Sequence, residues 1–351
     1  MKVSGCMCSL VALSSLLILC SGDRDNNTAQ QTSEQGMPEM VKEIQKKAEN
    51  VYKNDKGYWE AEFIDGHIMV HIPQGEFTMG SNDGLPNEKP VHKVTLDGYW
   101  LGKVPVTVGQ FKKFVSATGY VTDAENGQGS WQFWKGDWVV RSDGNWKNPY
   151  FEQGENHPVV SISWNDARAF CQWLSDKTGL NFNLPTAAQW EKGARGTDER
   201  MYPWGKEIPN GTLANYADIH YWRKYGDARQ PNQKIDDGFT ETSPVGNYPE
   251  GASSHGLLDM AGNVWEWCYD VYDRKYYSVS PHKNPLGPSD SGKRDQERVN
   301  RGGGSWTDRS GHITPRGGHN LRSAARTGDE QNSSDDHMGF RICIDYLRRN
   351  P

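Results

Sequence analysis

Apolar residues recur at helical spacing in only a few parts of this chain. Near the N-terminus, Val41, Ile44 and Ala48 fall on one face, and this spacing predicts an amphipathic helix over about 38–53. We assign 38–60 as an N-terminal helical segment on this pattern. The following residues, 61–347, contain no second linker and no internal repeat, so we treat them as one domain.

Three further helices are predicted from their start signals. Thr107 precedes an apolar stripe, while Ser163 with Asp166 and Thr186 with Gln189 form capping-box patterns. Short apolar strands and long stretches rich in Gly, Trp and Asn separate these helices. The pattern therefore predicts an α+β fold with many irregular loops and not a doubly wound sheet.

The first residues have the pattern of an export signal. An apolar run at 10–19 is too short to span a membrane, and it ends at Cys20. Leu17, Ile18 and Cys20 resemble a bacterial lipobox, although Leu19 stands where a small residue is usual. We therefore predict a signal peptide at 1–20 and favour a lipid anchor at Cys20 over ordinary secretion or an uncleaved anchor. The polar residues 21–37 are expected to form a flexible tether between the anchor and the folded body. The protein is then expected in the periplasm or at the cell surface.

Composition excludes one broad class of function. The 351 residues contain 39 Lys and Arg against 45 Asp and Glu, a formal net charge of −6. Because there is no basic excess to neutralise phosphates, we do not expect nucleic acid as a partner. The aromatic content of 11% argues against disorder throughout the chain.

Three cysteines lie in the body of the protein: Cys171, Cys268 and Cys343. An odd number in an oxidising compartment is consistent with one disulfide and one buried free thiol. Cys171 lies on the apolar stripe of a predicted helix. We expect it in the core or in a disulfide, because apolar packing disfavours a reactive thiolate.

Eleven segments, in chain order, resemble the formylglycine-generating enzyme, or sulfatase-modifying factor, family. They cover most of the body and include PQGEFTMGS (73–81), NEKPVHKVTL (87–96), TGYVTDAE (118–125), HPVVSISWNDARAFCQWL (157–174), LPTAAQWEKGARG (184–196), GLLDMAGNVWEW (256–267), RGGGSW (301–306), LRSAAR (321–326) and GFR (339–341). The resemblance implies a compact fold that is related to C-type lectins, is low in regular structure and is stabilised by calcium.

The resemblance also implies two calcium sites, whose ligands are side-chain and backbone oxygens of the kind that calcium prefers. The alternative is that these polar residues only hydrogen-bond the backbone of tight turns. The first set is Asn215, Tyr216, Asp237 and Phe239, and the second is Asp259, Gly262, Val264 and Glu266.

Members of this family that are enzymes oxidise a cysteine in a C-x-P-x-R stretch of a sulfatase to formylglycine. The resemblance implies that they use oxygen and copper(I) held by two cysteines, and soft thiolates suit copper(I). Here Asp308 and Gly318 stand at those two positions. We therefore do not expect copper as a cofactor. Cys171 and Cys343 resemble a structural disulfide of the family, although Cys343 is displaced by one position, and this leaves Cys268 as the free thiol.

A different metal is the alternative. Asp308, His312 and His319 form the two-histidine, one-carboxylate set of non-haem iron oxygenases, and Ser305 precedes them. We treat these four residues as catalytic candidates. The competing interpretation, which we favour, is an exposed glycine-rich loop with ordinary surface histidines. Related iron-dependent sulfoxide synthases take ligands from a helical bundle that the residues before this body are too few to form.

The aromatic stretch at 131–151 is a further candidate binding surface. Exposed rings of this kind stack on sugars or bind peptides, and the alternative is that they cover the core. Arg322 and Arg326 could bind acidic ligand groups or pair with carboxylates such as Glu266.

Three functions remain open at this stage. The first and favoured one is a non-catalytic envelope module that binds or assembles a protein or glycan ligand, for example a sulfatase. The second is an oxidoreductase of sulfatase maturation with a non-standard metal, and the third is a glycan-binding protein. Residue types alone do not decide whether any catalytic activity survives.

Overall fold

The computed structural model describes residues 37–134, 137–226, 232–293, 295–305 and 319–345. The predicted signal peptide, Cys20 and nearly all of the predicted tether lie outside these residues. Within the described part of the chain, no helix is both long enough and apolar enough to cross a membrane. The chain divides into two compact units, Met1–Lys42 and Glu43–Pro351, and the second is the body of the protein.

The described residues form five α-helices and fourteen β-strands. The helices are α1 (Glu39–Gln45), α2 (Val108–Thr118), α3 (Trp164–Thr178), α4 (Ala187–Arg195) and α5 (Ile219–Tyr225). The strands are β1 (Asn50–Lys53), β2 (Trp59–Phe63), β3 (His67–Ile72), β4 (Gly75–Met79), β5 (His92–Leu96), β6 (Tyr99–Gly102), β7 (Ser130–Trp134), β8 (Asp137–Arg141), β9 (Phe182–Asn183), β10 (Trp265–Val271), β11 (Glu297–Arg301), β12 (Thr327–Glu330), β13 (Met338–Gly339) and β14 (Cys343–Ile344).

Two larger sheets and two hairpins organise the body. The first sheet is antiparallel and has the strand order β1-β2-β3-β6-β14-β9. The second has the order β12-β11-β10-β13, with only β10 and β13 parallel. The pairs β4-β5 and β7-β8 are separate hairpins. This mixture of short strands, helices and long loops confirms the α+β prediction.

The N-terminal helix is much shorter than the predicted one over 38–53. It ends at Gln45, and β1 pairs with β2 as an antiparallel hairpin. Val51 and Tyr52 are a β-branched and an aromatic residue, both of which favour strands. Asn54 closes the turn, because its side-chain oxygen accepts two backbone amides there. Pairing with β2, which lies outside the periodic segment, therefore outweighs the helical spacing of the apolar residues in that segment.

The three predicted helix starts are confirmed. Thr107, Ser163 and Thr186 each accept a hydrogen bond from the backbone amide three residues later, which satisfies one of the free donors of the helix N-terminus. Helices α2 and α3 then end at Gly119 and Gly179, whose φ values of 68° and 64° suit glycine.

Large rings form part of the core. Trp190 of α4, Trp100 of β6 and Trp267 of β10 are fully buried. Helix α4 packs against β4, β10 and β11, so its neighbours come from three separate parts of the chain. Rings of this size bury a large apolar area each, which offsets the modest apolar content of the sequence.

A buried ion pair joins the two larger sheets. Arg341 donates to both carboxylate oxygens of Glu266 in β10, at 2.6 and 2.7 Å. The same guanidinium donates to the carbonyl oxygen of Gly102 at the end of β6, at 2.9 Å. The indole of Trp190 adds a third hydrogen bond to Glu266, at 2.7 Å. Because both charged side chains are fully buried, these contacts supply the hydrogen bonds that water would otherwise give.

Candidate functional site

Three loops meet around Gly262, a residue of the second predicted calcium set. Gly262 has a φ of 78°, and a Cβ atom there would lie 2.2 Å from the carbonyl oxygen of Asn215. Only glycine allows this approach. The neighbouring amide of Asn263 donates to the same carbonyl oxygen at 2.9 Å, and the amide of Ser305 donates to the carbonyl oxygen of Asn263 at 3.0 Å. Ser305 therefore lies buried against the loop that carries the second predicted calcium set.

The structure brings together the first predicted calcium set. The backbone amides of Tyr216 and Phe239 donate to the two carboxylate oxygens of Asp237, at 2.9 and 3.0 Å. The Asn215 side-chain nitrogen donates to the carbonyl oxygen of Glu241 at 2.6 Å, which fixes the orientation of the amide group. The four residues thus form one small cluster, although they come from two separate loops.

The electrostatics of this cluster favour a cation. Asn215 is 1% exposed, and its buried side-chain oxygen has no hydrogen-bond partner among the described residues. Burial, together with the nearby carboxylate of Asp218, raises the pKa of Asp237 to about 8. Unpartnered buried oxygens are rare and need an explanation. An oxygen-rich set with a buried carboxylate fits calcium, because this ion prefers hard oxygen ligands.

More acidic groups surround the same cluster. Asp218 accepts the backbone amide of Asp237 at 2.8 Å and also caps the start of α5. His220 lies 3.0 Å from a carboxylate oxygen of Asp236, and ligand atoms of Asp218, His220 and Asp236 lie within 4.8 Å of one another. This part of the surface therefore has a concentration of oxygen ligands that the sequence prediction did not include.

The second predicted calcium set does not fit an ion in the same way. Both carboxylate oxygens of Glu266 already accept hydrogen bonds from Arg341, so a calcium ion would lie beside a guanidinium. Burial raises the pKa of Asp259 to about 6, and its carboxylate accepts the backbone amide of Gly246. The backbone amide of Val264 donates a hydrogen bond to the carbonyl oxygen of Gly262 at 2.9 Å. The second site stays a prediction that these contacts do not favour.

Most of the predicted catalytic residues cannot be placed. Asp308, His312 and Gly318 lie outside the described residues. His319 begins a short 3₁₀ helix, His319–Leu321, and its side chain is also outside the described part. Of the four catalytic candidates, only Ser305 has a described side chain. The four therefore stay predictions.

The structure places a different charged cluster in a cavity of about 350 Å³. The cavity lies where the second sheet faces the β7-β8 hairpin, and its lining includes Asn87, Trp138, Trp265, Asp329, Asp335 and His337. It combines aromatic rings with carboxylates and amides. Such a lining can bind a ligand through both ring faces and hydrogen bonds.

His337 is the central charged group of this cavity. Its Nδ1 atom lies 2.5 Å from Asp335 Oδ1 and 3.0 Å from Asp336 Oδ1. Burial lowers the pKa of His337, but these two carboxylates outweigh it and raise that pKa to about 9. The ring is therefore protonated at neutral pH. The sequence prediction missed this cluster, although its signal, Asp-Asp-His, stands directly before the matched segment 339–341.

The aromatic stretch is divided between the core and the surface. Trp146 is buried and packs 5.3 Å from the ring of Phe111, so it covers the core. Trp138 of β8 lies 5.1 Å from the His337 ring and lines the cavity. Trp131 of β7 is 42% exposed. Only part of the stretch is therefore available to a ligand.

The two candidate ligand-binding arginines are both buried, and Arg326 also lines the cavity beside His337. Arg322 donates to both carboxylate oxygens of Glu88, at 2.7 and 2.6 Å. The guanidinium of Arg326 packs over two tyrosine rings, 4.9 and 4.5 Å from their centres. Arg322 therefore pairs with a carboxylate, as the second alternative expects, but the partner is Glu88, and Glu266 is paired by Arg341.

The cysteines are buried in three different elements. Cys268 of β10 is a free thiol, and burial raises its pKa well above the usual range, so it is not a nucleophile. Cys171 of α3 and Cys343 of β14 are also buried. The disulfide between these two stays a prediction.

Comparison with known proteins places this geometry in a family. Residues 60–346 match the sulfatase-modifying factor enzyme 1-like domain. The formylglycine-generating enzyme of Mus musculus is 34% identical over 309 residues, covering 80% of this chain and 75% of that protein. The enzyme of the same name from Streptomyces coelicolor is 35% identical, covering 79% and 89%. A Bos taurus relative described as inactive C-alpha-formylglycine-generating enzyme 2 is 30% identical, covering 81% and 89%.

A solved structure agrees with these sequence relationships. PvdO from Pseudomonas aeruginosa has a TM-score of 0.62 and 26% identity, with coverage of 85% of this chain and 99% of that one. The family match begins at residue 60, yet the fold includes β1, which pairs with β2 from residue 50 onward. The chain therefore belongs to the formylglycine-generating enzyme, or sulfatase-modifying factor, family.

Proposed function

We propose that this protein is a ligand-binding member of the family that does not carry out copper-dependent oxidation. The observation that carries the proposal is the replacement of both expected copper ligands, by Asp308 and Gly318. A carboxylate is a poor ligand for copper(I) and glycine offers no side chain, so a stable copper(I) centre at these positions is not expected. Active and inactive relatives match this chain at similar identity, so overall similarity does not decide the question.

The cavity beside His337 supports a binding role. Trp138 and Trp265 supply ring faces, and Asn87, Asp329 and Asp335 supply hydrogen-bonding groups. This combination suits a peptide segment or a glycan chain. The predicted export signal that ends at Cys20 supports a lipid anchor in the cell envelope. The cavity supports the binding of a protein or glycan there.

An oxidase with another metal is the second candidate. The observation that favours it is the cluster of Asp335, Asp336 and His337, whose ligand atoms lie within 4.8 Å of one another. Two carboxylates and one imidazole are a ligand set that iron(II) or manganese(II) can use. Without an ion, the His337 imidazole pairs with both carboxylates, and a metal would have to displace its proton.

The first prediction is that the protein does not form formylglycine. We expect a C-x-P-x-R peptide to keep its cysteine when it is incubated with residues 21–351, calcium and oxygen. Copper(I) and iron(II) are added in parallel reactions, and mass spectrometry detects the aldehyde. The double variant Asp308→Cys/Gly318→Cys is the matched control, because it restores the thiolate pair in the same scaffold and should regain copper(I) binding.

The reactions with copper(I) and with iron(II) distinguish the ligand-binding protein from the oxidase with another metal. Aldehyde formed by the wild type with copper(I) would show that the thiolates are dispensable and would overturn the proposal. Aldehyde formed only with iron(II), and lost on His337→Gln, would establish the second candidate instead.

The second prediction concerns the cavity ligand. We expect Trp138→Ala to weaken binding at least tenfold, because its ring forms one wall of the cavity, whereas Trp131→Ala on the same hairpin should retain the affinity. The two probes are a C-x-P-x-R peptide and a sulfated polysaccharide, each titrated by intrinsic fluorescence. A response to one probe alone identifies the ligand class. If neither probe responds, or if both variants lose binding equally, the cavity is not the binding site.

We also propose that calcium binds at the first predicted set. Asn215 and Asp237 would contribute side-chain oxygens, and Tyr216 and Phe239 would contribute backbone carbonyl oxygens. The ion would neutralise a buried carboxylate and give the buried Asn215 oxygen a partner. Its role would be to hold two loops together, and no redox chemistry is assigned to it.

The third prediction is that chelation destabilises the protein. At a calcium concentration one hundred times the Kd, binding adds about 2.7 kcal/mol to the free energy of unfolding. EGTA should therefore lower the Tm of the wild type by several degrees, measured by differential scanning fluorimetry. Asp237→Asn should have a lower Tm and little response to EGTA. Asp259→Asn tests the second set and should respond like the wild type, and a wild-type Tm that EGTA does not move would rule out structural calcium.

A further inference from the structure

The β7-β8 hairpin is anchored to the body along one of its two edges. On the β7 side, the amide of Trp131 donates to the carbonyl oxygen of Ser334 at 2.9 Å, and its carbonyl oxygen accepts the amide of Asp336 at 3.1 Å. The amide of Phe133 also donates on this side, to the Asp336 carboxylate at 3.2 Å. Among the described residues, no strand pairs with the outer edge of β8. The hairpin is therefore held through β7, and β8 is its open edge.

Val140 presents both of its backbone hydrogen-bonding groups at this open edge. It lies opposite Trp131 in the antiparallel register, and both backbone groups of Trp131 bind residues on the other side of the hairpin. Facing residues of an antiparallel pair exchange either both hydrogen bonds or none, so the N–H and C=O of Val140 point away from β7. Neither group has a partner among the described residues, and Val140 is 48% exposed. An added chain can therefore reach both groups.

Charged side chains lie at the two ends of β8 but not in its middle. The Asp137 carboxylate accepts the amide of Trp138 at 2.8 Å, and Arg141 ends the strand. Natural edge strands are blunted by charges, prolines or bulges, because an open edge is a template for pairing with another chain. Val139 and Val140 are apolar and β-branched, so they bring none of these protections. The edge at Val140 therefore has the features of a docking strand.

We propose that the outer edge of β8 binds an extended peptide segment of a partner protein, which adds to the hairpin as a third strand. The N–H and C=O of Val140 bind the C=O and N–H of one ligand residue, which is how a peptide extends the edge of a sheet. This pairing selects a polypeptide backbone over a glycan chain. The inference rests on the ligand-binding role proposed above and names the ligand class for it.

The cavity beside His337 is continuous with this edge. Trp138 and Val140 are two residues apart in β8, so their side chains lie on the same face, about 7 Å apart along the strand. The Trp138 ring lines the cavity and lies 5.1 Å from the His337 ring. A ligand residue opposite Val140 contacts an exposed apolar side chain, and the ligand residue two positions away lies opposite Trp138. The indole of Trp138 suits a basic side chain at that position, through a cation–π contact.

The fourth prediction uses a peptide whose central valine has an arginine two positions away on each side. The probe is acetyl-Ser-Arg-Thr-Val-Thr-Arg-Ser-amide, and its symmetry serves either strand direction. We expect it to bind the exported chain, residues 21–351, in a fluorescence titration, and to protect the amide of Val140 from hydrogen exchange. Methylating the backbone nitrogen of the peptide valine should weaken binding at least fivefold, because this removes the N–H that the Val140 carbonyl oxygen accepts.

A second methylated peptide is the matched control. Methylating the nitrogen of the threonine that follows the valine should retain the affinity, because that N–H points away from β8. A protein variant tests the same contact from the other side. Val140→Pro removes the edge N–H, and proline is tolerated on edge strands whose N–H faces solvent. We expect this variant to bind the peptide at least fivefold more weakly and to keep a Tm near that of the wild type.

The outcomes separate this inference from the binding role on which it rests. Equal affinity for the two methylated peptides, or a Val140 amide that stays unprotected, would overturn the inference even if Val140→Pro does not fold. A response to the sulfated polysaccharide with none to the peptide would overturn the inference and leave the binding role as glycan binding. No response to either probe would contradict both.

A second copy of this chain is the other occupant that the edge could bind. Size-exclusion chromatography with light scattering measures the oligomeric state of the wild type and of Val140→Pro. We expect both to be monomers. A wild-type dimer that Val140→Pro converts to a monomer would assign the edge to self-association and overturn the inference.

Discussion

The buried pair of Glu266 and Arg341 is the contact on which the arrangement of the body depends most. Its charges lie between the two larger sheets, and the guanidinium also donates to the carbonyl oxygens of Gly102, Leu258 and Asp259. Breaking such a pair leaves an uncompensated charge in the interior, which costs about 3–5 kcal/mol. The pair therefore fixes how β10 faces β6, and it fixes the loop before β10 at the same time.

This constraint explains how the scaffold can persist without the copper ligands. The expected copper positions, 308 and 318, fall between β11 and β12 in the chain and lie outside the described residues, whereas the ion pair, the core tryptophans and the first predicted calcium set belong to other segments. The contacts described for the core therefore involve neither position. Function in this family then depends on loops carried by a fixed framework, so the fold does not determine the chemistry.

Local signals in the sequence predict the parts of the fold that local forces determine. The caps at Thr107, Ser163 and Thr186 are confirmed because capping involves residues only three positions apart. The helix over 38–53 is wrong because the pairing of β1 with β2 involves residues outside the periodic window. The proximity of the residues in the first predicted calcium set could be expected only through the family resemblance, because the fold brings their two loops together.

The remaining site features required three-dimensional information. The triplet at 335–337 is visible in the sequence, but the proximity of Trp138 comes from a hairpin two hundred residues away in the chain. The same holds for the contacts of Lys192 in α4, which has the appearance of an ordinary helical lysine in the sequence. Its two carbonyl acceptors, on Pro73 and Gly75, come from the turn that packs against α4. The pairing of Glu266 with Arg341 likewise depends on the fold, and it makes Glu266 part of a buried ion pair and a poor calcium ligand.

The most direct test of the central claim is the metal content of the purified protein. The protein is equilibrated with calcium and copper(I), separated from free metal and measured by inductively coupled plasma mass spectrometry. A scaffold that keeps calcium and has lost the oxidase centre predicts stoichiometric calcium with copper at background. Stoichiometric copper that survives the separation would contradict the account, because it would require a copper site without the two family thiolates.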